Sequence, residues 1–179
     1  MRTFIITLLC LAAVVAASAQ EPPPAKAVHF KKLQAFLPAK APEGFTRGKP
    51  TGSTHTMTGF SVSEAKVRFE RPSDTLASAI EASITDMTQM PAAAWAAMYE
   101  QAEYENETEE GSERTVTVAK SYKGIEKVQS GESRSCELSF VVAQRFHVQF
   151  TGIDTDEIAL LYALAESMDL AGLTKTAKE

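Results

Sequence analysis

The segment CELSFVVAQRFHVQF, Cys136–Phe150, carries two apolar alternations separated by a short polar break. Every second residue of each run is apolar: Cys136, Leu138, Phe140 and Val142, then Phe146, Val148 and Phe150. Alternation with a period of two is typical of a strand that buries one face. A three-residue loop, 143–145, brings both apolar sets to one core, whereas a two-residue loop would turn one set outward. We therefore predict an antiparallel hairpin that pairs Val142 with Phe146, Phe140 with Val148 and Leu138 with Phe150.

Alternating runs upstream of the hairpin predict four more strands, at 56–69, 76–85, 115–121 and 122–129. The apolar residues of the first run change parity, because Phe60 and Val62 are even-numbered whereas Ala65, Val67 and Phe69 are odd-numbered. One extra residue in a strand reverses its alternation, so we predict a bulge near Ser63 and Glu64. A turn at 71–74 would join the first two runs as an antiparallel pair.

Three segments predict helices. Residues 28–37 form a short one that ends before Pro38. Pro91 is suited to the first turn of a helix that runs to Tyr104, with an apolar stripe that includes Trp95. Asp154 and Glu157 have the spacing of a capping box for a closing helix, and Gly172 is suited to the position just past its end. Residues 47–54 are predicted as a loop, and the acidic stretch 105–113 as a linker.

The order of these elements predicts one α+β domain over residues 28–173. Short links between strands favour antiparallel pairing, and segregated helices favour a layer packed against a sheet. We expect an antiparallel sheet of about five to six strands with helices packed on it, in two layers.

The N-terminal residues 1–19 have the features of a secretory signal peptide. Arg2 supplies positive charge, residues 4–17 are almost wholly apolar, and Ala17-Ser18-Ala19 offers small residues to a signal peptidase. We expect cleavage near Ala19, and a mature chain that is periplasmic or extracellular and has no membrane span. Residues 20–27 contain three consecutive prolines and predict a semi-rigid tether, and residues 174–179 predict a polar tail.

Charge and cysteine content exclude several classes of protein. The net charge of −5 gives no electrostatic reason to bind nucleic acid. After cleavage, Cys136 is the only cysteine, so no intramolecular disulfide is possible. A buried thiol is the simpler interpretation, and an intermolecular disulfide or a reactive thiol is the alternative. The three histidines are too widely spaced for a zinc motif, and no nucleotide-binding loop is present, so we predict neither a metal nor a cofactor.

Arg145 and His147 form the candidate site. They lie beside the proposed hairpin loop and alternate with Phe146, so strand parity places both on the outer face of the sheet. There they would form a small polar site, although an exposed strand explains them equally well. No residue is predicted to be catalytic.

Short motifs spread over the chain carry a family resemblance. They are Leu37-Pro38 with Pro42-Glu43-Gly44-Phe45, Tyr122-Lys123-Gly124, and Arg145-Phe146-His147-Val148. With this layout the chain resembles the Mog1/PsbP-like group of small α+β domains, which includes envelope proteins of the DcrB type. The resemblance implies a non-enzymatic accessory or binding role and assigns no functional residue.

The sequence therefore predicts an exported, non-enzymatic domain that binds an envelope protein or a small apolar ligand. One alternative is an enzyme with an unrecognised active site. Another is a structural protein that self-associates through an exposed sheet edge. The sequence leaves the oligomeric state open.

Overall fold

The computed structural model describes residues 26–57, 60–72, 78–88, 103–131 and 133–178. The helices are α1 (Phe30–Leu33), which continues into a 3₁₀ turn (Gln34–Phe36), α2 (Ile158–Glu166) and α3 (Leu170–Thr176). The strands are β1 (Thr46–Arg47), β2 (Thr51–Met57), β3 (Phe60–Arg71), β4 (Ser78–Asp86), β5 (Glu105–Thr108), β6 (Gly111–Val118), β7 (Tyr122–Gln129), β8 (Ser135–Val142) and β9 (Phe146–Ile153).

All nine described strands join one antiparallel sheet in the order β1-β3-β4-β9-β8-β7-β6-β5, and β2 pairs with β3 on the same edge as β1. Strands make up 50% of the described structure and helices 18%. The predicted fold class, an α+β domain with five to six strands in two layers, is therefore wrong. The described part of the chain is mostly antiparallel sheet, and its three helices are short.

The central hairpin has the predicted register. Val142 pairs with Phe146, Phe140 with Val148 and Leu138 with Phe150. The loop between the strands is closed by Arg145, whose backbone N–H donates to the carbonyl of Val142 at 3.1 Å. Ala143 and Gln144 both have φ of 53°, a left-handed conformation that reverses the chain within three residues. The parity argument is confirmed at each of these pairs.

One face of the sheet, the core face, packs against the helices. Leu33 of α1, Leu161 of α2 and Leu173 of α3 belong to the same buried cluster as the apolar side chains of the strands. The largest fully buried side chains from the sheet are Phe69, Phe140, Phe146, Phe150, Ile80, Ile84, Leu138, Val67 and Val118. The opposite face of the sheet, the outer face, carries the alternate residues of each strand.

The predicted bulge in the first strand is wrong. β3 is regular from Phe60 to Arg71, and its register with β2 and β4 is continuous. The small residues Ser61 and Ser63 occupy the core face, and Phe60 and Val62 are half-buried on the outer face. The extra residue lies in the neighbouring edge strand, since the register against β3 changes by one residue between β1 and β2. Pro50 lies in that interruption, where the absence of an N–H is tolerated.

Several predicted loops and helix ends also differ from the structure. Strand β2 occupies much of the predicted loop 47–54, and the acidic linker 105–113 forms β5 and the start of β6. Asp154 does not cap a helix; it has a φ of 57°, and Glu157 is the residue before α2. Gly172 lies inside α3, where its N–H donates to the carboxylate of Asp169 at 2.8 Å. Residues 174–176, assigned to the tail, form the last turn of α3.

Several predictions lie wholly or partly outside the described residues. They are the signal peptide at 1–19, most of the tether at 20–27, and the helix at 91–104 up to residue 102. The predicted contribution of Leu76 to the strand now numbered β4 also lies outside them.

We expect Phe140→Ala to lower the free energy of unfolding by about 3–5 kcal/mol, through lost burial and the cavity that remains. The ring is fully buried in the middle of β8. Urea unfolding of the folded domain measures the change. Lys123→Ala, an exposed change on the neighbouring strand, serves as the control and should alter stability by less than about 0.5 kcal/mol. A loss below about 1 kcal/mol for Phe140→Ala would contradict the packing described here.

Candidate functional site

Arg145 forms a buried ion pair with Asp86 at the last residue of β4. The Asp86 side chain is 0% exposed and the Arg145 side chain 11% exposed. The Arg145 Nε lies 3.0 Å from Asp86 Oδ1, and Nη2 lies 2.9 Å from Oδ2. Two backbone N–H groups also donate hydrogen bonds to the carboxylate. The N–H of Val28 lies 2.7 Å from Oδ2, and the N–H of Thr88 lies 3.0 Å from Oδ1. The carboxylate is therefore held by charge and geometry together.

The Arg145 guanidinium also joins the two ends of the described chain. Nη1 donates to the carbonyl of Ala177 at 3.1 Å, just after α3, and Nη2 donates to the carbonyl of Lys26 at 3.1 Å. The hairpin loop, the end of β4 and both ends of the described chain therefore meet at one ion pair. Because its donors are engaged by these acceptors, Arg145 has a structural role: it holds the hairpin loop, the end of β4 and the two ends of the described chain together.

His147 does not take part in the ion pair between Asp86 and Arg145. Its position in β9, between Phe146 and Val148 on the core face, places it on the outer face opposite Thr85 and Val141. The ring is half-buried, and this burial lowers its pKa. The structure thus does not bring Arg145 and His147 together as an outer-face pair, because the Arg145 side chain reaches Asp86 at the end of the sheet.

A second buried carboxylate, Glu126, lies on the core face of β7. Arg114 Nη2 approaches its Oε1 at 2.8 Å, and the hydroxyl of Tyr162 donates to its Oε2 at 2.6 Å. Burial and this hydrogen bond raise the pKa of Tyr162, so the hydroxyl stays protonated and keeps donating. The arrangement fixes α2, which carries Tyr162, to the sheet. It resembles the Asp86 site in that both carboxylate oxygens are engaged.

The thiol of Cys136 is enclosed on the core face. It is 2% exposed, and burial raises its pKa to about 11. The thiolate, which is the nucleophilic form, is therefore scarce at neutral pH. Within the described residues, no group of three or more His, Cys, Asp and Glu side chains is arranged to hold a metal ion. No described helix is long and apolar enough to cross a membrane.

The two edges of the sheet differ in length and charge. β5 has four residues, all exposed, and includes Glu105 and Glu107. β2 has seven residues, and none of them is Asp, Glu, Lys or Arg. Charged side chains and short length protect an edge strand against pairing with another chain, so β5 is protected and β2 is not.

Three residues of β2 direct their backbone groups away from the sheet. The N–H of Gly48 donates to the carbonyl of Arg68 at 2.7 Å, which shows that even-numbered residues of β3 face this edge. Even-numbered β3 residues pair with odd-numbered β2 residues. In an antiparallel pair the intervening residues point outward, and in β2 these are Gly52, Thr54 and Thr56. Among the described residues, no backbone hydrogen bond reaches them from outside the sheet.

The N-terminal segment positions β2 from the core side. The N–H of Phe30 donates to Thr54 Oγ1 at 3.0 Å, and this hydroxyl lies 2.8 Å from that of Ser63. The Phe30 ring covers Gly52 so closely that an added Cβ would lie 2.9 Å from the ring. At the other end of the strand, Met57 is 69% exposed. β2 is therefore fixed on its inner side, and no described residue covers its edge or its tip.

The sequence contained a weak signal for this edge. Threonine and serine fill five of the eight positions from Thr51 to Thr58, and threonine favours strands, yet no apolar alternation marks the segment. Comparison with known proteins adds nothing to it, since no family model, no curated protein and no solved structure matches the chain. The resemblance to Mog1/PsbP-like domains stays a prediction.

Arg145→Ala should lower the free energy of unfolding by about 3–5 kcal/mol, because it leaves the Asp86 carboxylate buried without its counter-charge. Chemical denaturation measures the loss. The matched control is Arg68→Ala, whose ion pair with Glu70 is exposed and should contribute less than about 1 kcal/mol. An equal loss of unfolding free energy in the two variants would show that the buried Asp86–Arg145 pair contributes no more to stability than an exposed ion pair.

Cys136 should resist thiol reagents while the protein is folded. With the pKa raised to about 11, its thiolate fraction at pH 8 is about a hundredfold below that of a free cysteine. Peptide mapping after labelling measures modification of this residue. The control is Ser130→Cys, which places a thiol on an exposed residue and should react at the rate of a free cysteine. Similar rates at both positions would contradict the burial described here.

Proposed function

We propose that this chain is an exported, non-enzymatic domain that binds a protein partner in the cell envelope, and that β2 receives an extended strand of that partner. The observation that carries the proposal is the open edge of β2, a seven-residue strand without charged side chains. Strand addition uses main-chain hydrogen bonds for affinity, and an unprotected edge supplies the donors and acceptors for them.

A protein partner fits this edge better than an apolar small molecule. The outward groups of Gly52, Thr54 and Thr56 are N–H and C=O groups, which pair with another backbone and gain little from an apolar ligand. The exposed side chain of Met57 adds an adaptable apolar contact at the tip of the strand.

An enzymatic role has less support from the described residues. The two buried carboxylates, Asp86 and Glu126, are each engaged by an arginine and further donors. A group held in this way stabilises the fold, and its oxygens are already occupied by donors of the protein. The accessory role implied by the resemblance to Mog1/PsbP-like domains agrees with a binding function.

Export rests on the order of charge, apolar run and small residues in positions 1–19. A mature protein that begins at Gln20 and is recovered from outside the cytoplasm would support it. N-terminal sequencing that finds an intact Met1 would contradict it.

The binding proposal is tested by photo-crosslinking in the expressing cell. A benzophenone amino acid replaces Met57 at the tip of β2, and the same probe replaces Lys123 on an exposed position of β7 as the control. We expect a crosslinked product from position 57 and none from position 123. The product should disappear when Thr56→Pro is added, because proline removes an outward N–H that β3 does not use. A product that persists with Thr56→Pro, or no product from position 57, would contradict the role of β2.

A further inference from the structure

We propose that the strand received by β2 is β2 of a second copy of this chain, in an antiparallel arrangement with the two-fold axis at Thr54. This inference rests on the proposed function, since it names the partner of the same edge. A symmetric dimer presents the same surface from both subunits, so the edge must be complementary to itself.

The backbone pattern satisfies this requirement. With the axis at Thr54, Gly52 of one copy lies opposite Thr56 of the other, and Thr51 opposite Met57. All seven residues of β2 are then paired. The three outward residues of each copy become hydrogen-bonded pairs, because the pairing alternates along an antiparallel ladder. The pairing ends at Pro50, which precedes β2 and has no N–H to extend it.

The side chains also favour a second copy. Like charges directly opposite each other destabilise a strand pair, and a symmetric dimer places each charge near its own equivalent. Because β2 has no Asp, Glu, Lys or Arg, this penalty is absent. Thr54 would lie opposite Thr54 of the second copy, so the residue on the two-fold axis is also uncharged.

The opposite edge of the sheet keeps the assembly closed. Pairing of β2 with β5 of the next copy would be head-to-tail and would propagate into an open filament. β5 opposes this, because it has only four residues and two of them, Glu105 and Glu107, are acidic. Pairing of β5 with another β5 would place these glutamates close together. Dimerisation through β2 therefore uses up the one unprotected edge among the described strands.

Analytical ultracentrifugation of the mature protein over a range of concentrations tests the dimer. We expect the wild-type protein to sediment as a dimer. Thr56→Pro should weaken the association about a hundredfold, because by symmetry two interchain hydrogen bonds are lost. Thr56→Ala, which keeps the N–H, is the matched control and should remain dimeric. A monomeric wild-type protein, or an undiminished dimer with folded Thr56→Pro, would overturn the proposal.

Disulfide crosslinking tests the register and remains informative if Thr56→Pro fails to fold. Thr54→Cys should form a crosslinked dimer on oxidation, because hydrogen-bonded pairs have a Cα separation of about 5.5 Å, within the range for a disulfide. Thr51→Cys is the control, because Thr51 is exposed but lies far from its equivalent in this register and should not crosslink. Crosslinking of Thr51→Cys alone, or of neither variant, would overturn the arrangement.

The two proposals fail in different ways. If the photo-crosslinked product at position 57 is a different protein, the binding function stands and the self-pairing is wrong. If position 57 gives no crosslinked product and the wild-type protein is monomeric, both are wrong. A crosslinked product with twice the mass of the mature chain supports both.

Discussion

The buried ion pair between Asp86 and Arg145 is the constraint on which the rest of the structure depends. Removing a carboxylate and a guanidinium from water is costly, and the cost is offset only where every polar atom finds a partner. Here the backbone N–H groups of Val28 and Thr88 donate hydrogen bonds to the carboxylate. The carbonyls of Lys26 and Ala177 accept hydrogen bonds from the guanidinium. The pair therefore joins the hairpin loop and β4 to Lys26 and Ala177, near the two ends of the described chain.

The central hairpin was predictable because its information is local. Apolar residues alternate in β8 and β9, and the parity of the loop between them determines which residues pair. The size of the sheet was not predictable in this way. β2 and β5 are edge strands with little buried surface, so neither carries an apolar alternation, and both resemble loops in sequence. Ser61 and Ser63 lie on the core face of β3, but they are small and polar and so interrupt its apolar alternation. This interruption led to the wrong prediction of a bulge.

The candidate site shows the limit of the same reasoning. Strand parity correctly places His147 on the outer face, because it lies within β9. It fails for Arg145, which lies in the loop, where no pleat fixes the direction of a side chain. Its partner Asp86 is 59 positions away and is the last residue of an apolar strand, a position at which a carboxylate is typical of the start of a turn. A long-range buried pair of this kind leaves no periodic signal in the sequence.

The Asp86–Arg145 ion pair and the open edge of β2 are connected by one short segment of the chain. The segment from Lys26 to Phe30 contacts Arg145 and Asp86 at one end and hydrogen-bonds Thr54 of β2 at the other. An edge strand that pairs on one side only is prone to fraying, and a frayed strand cannot serve as a template. The ion pair and the hydrogen bond to Thr54 therefore hold the two ends of one short segment that lies against β2. In the proposed function, this support of β2 contributes to the preorganisation that strand addition needs.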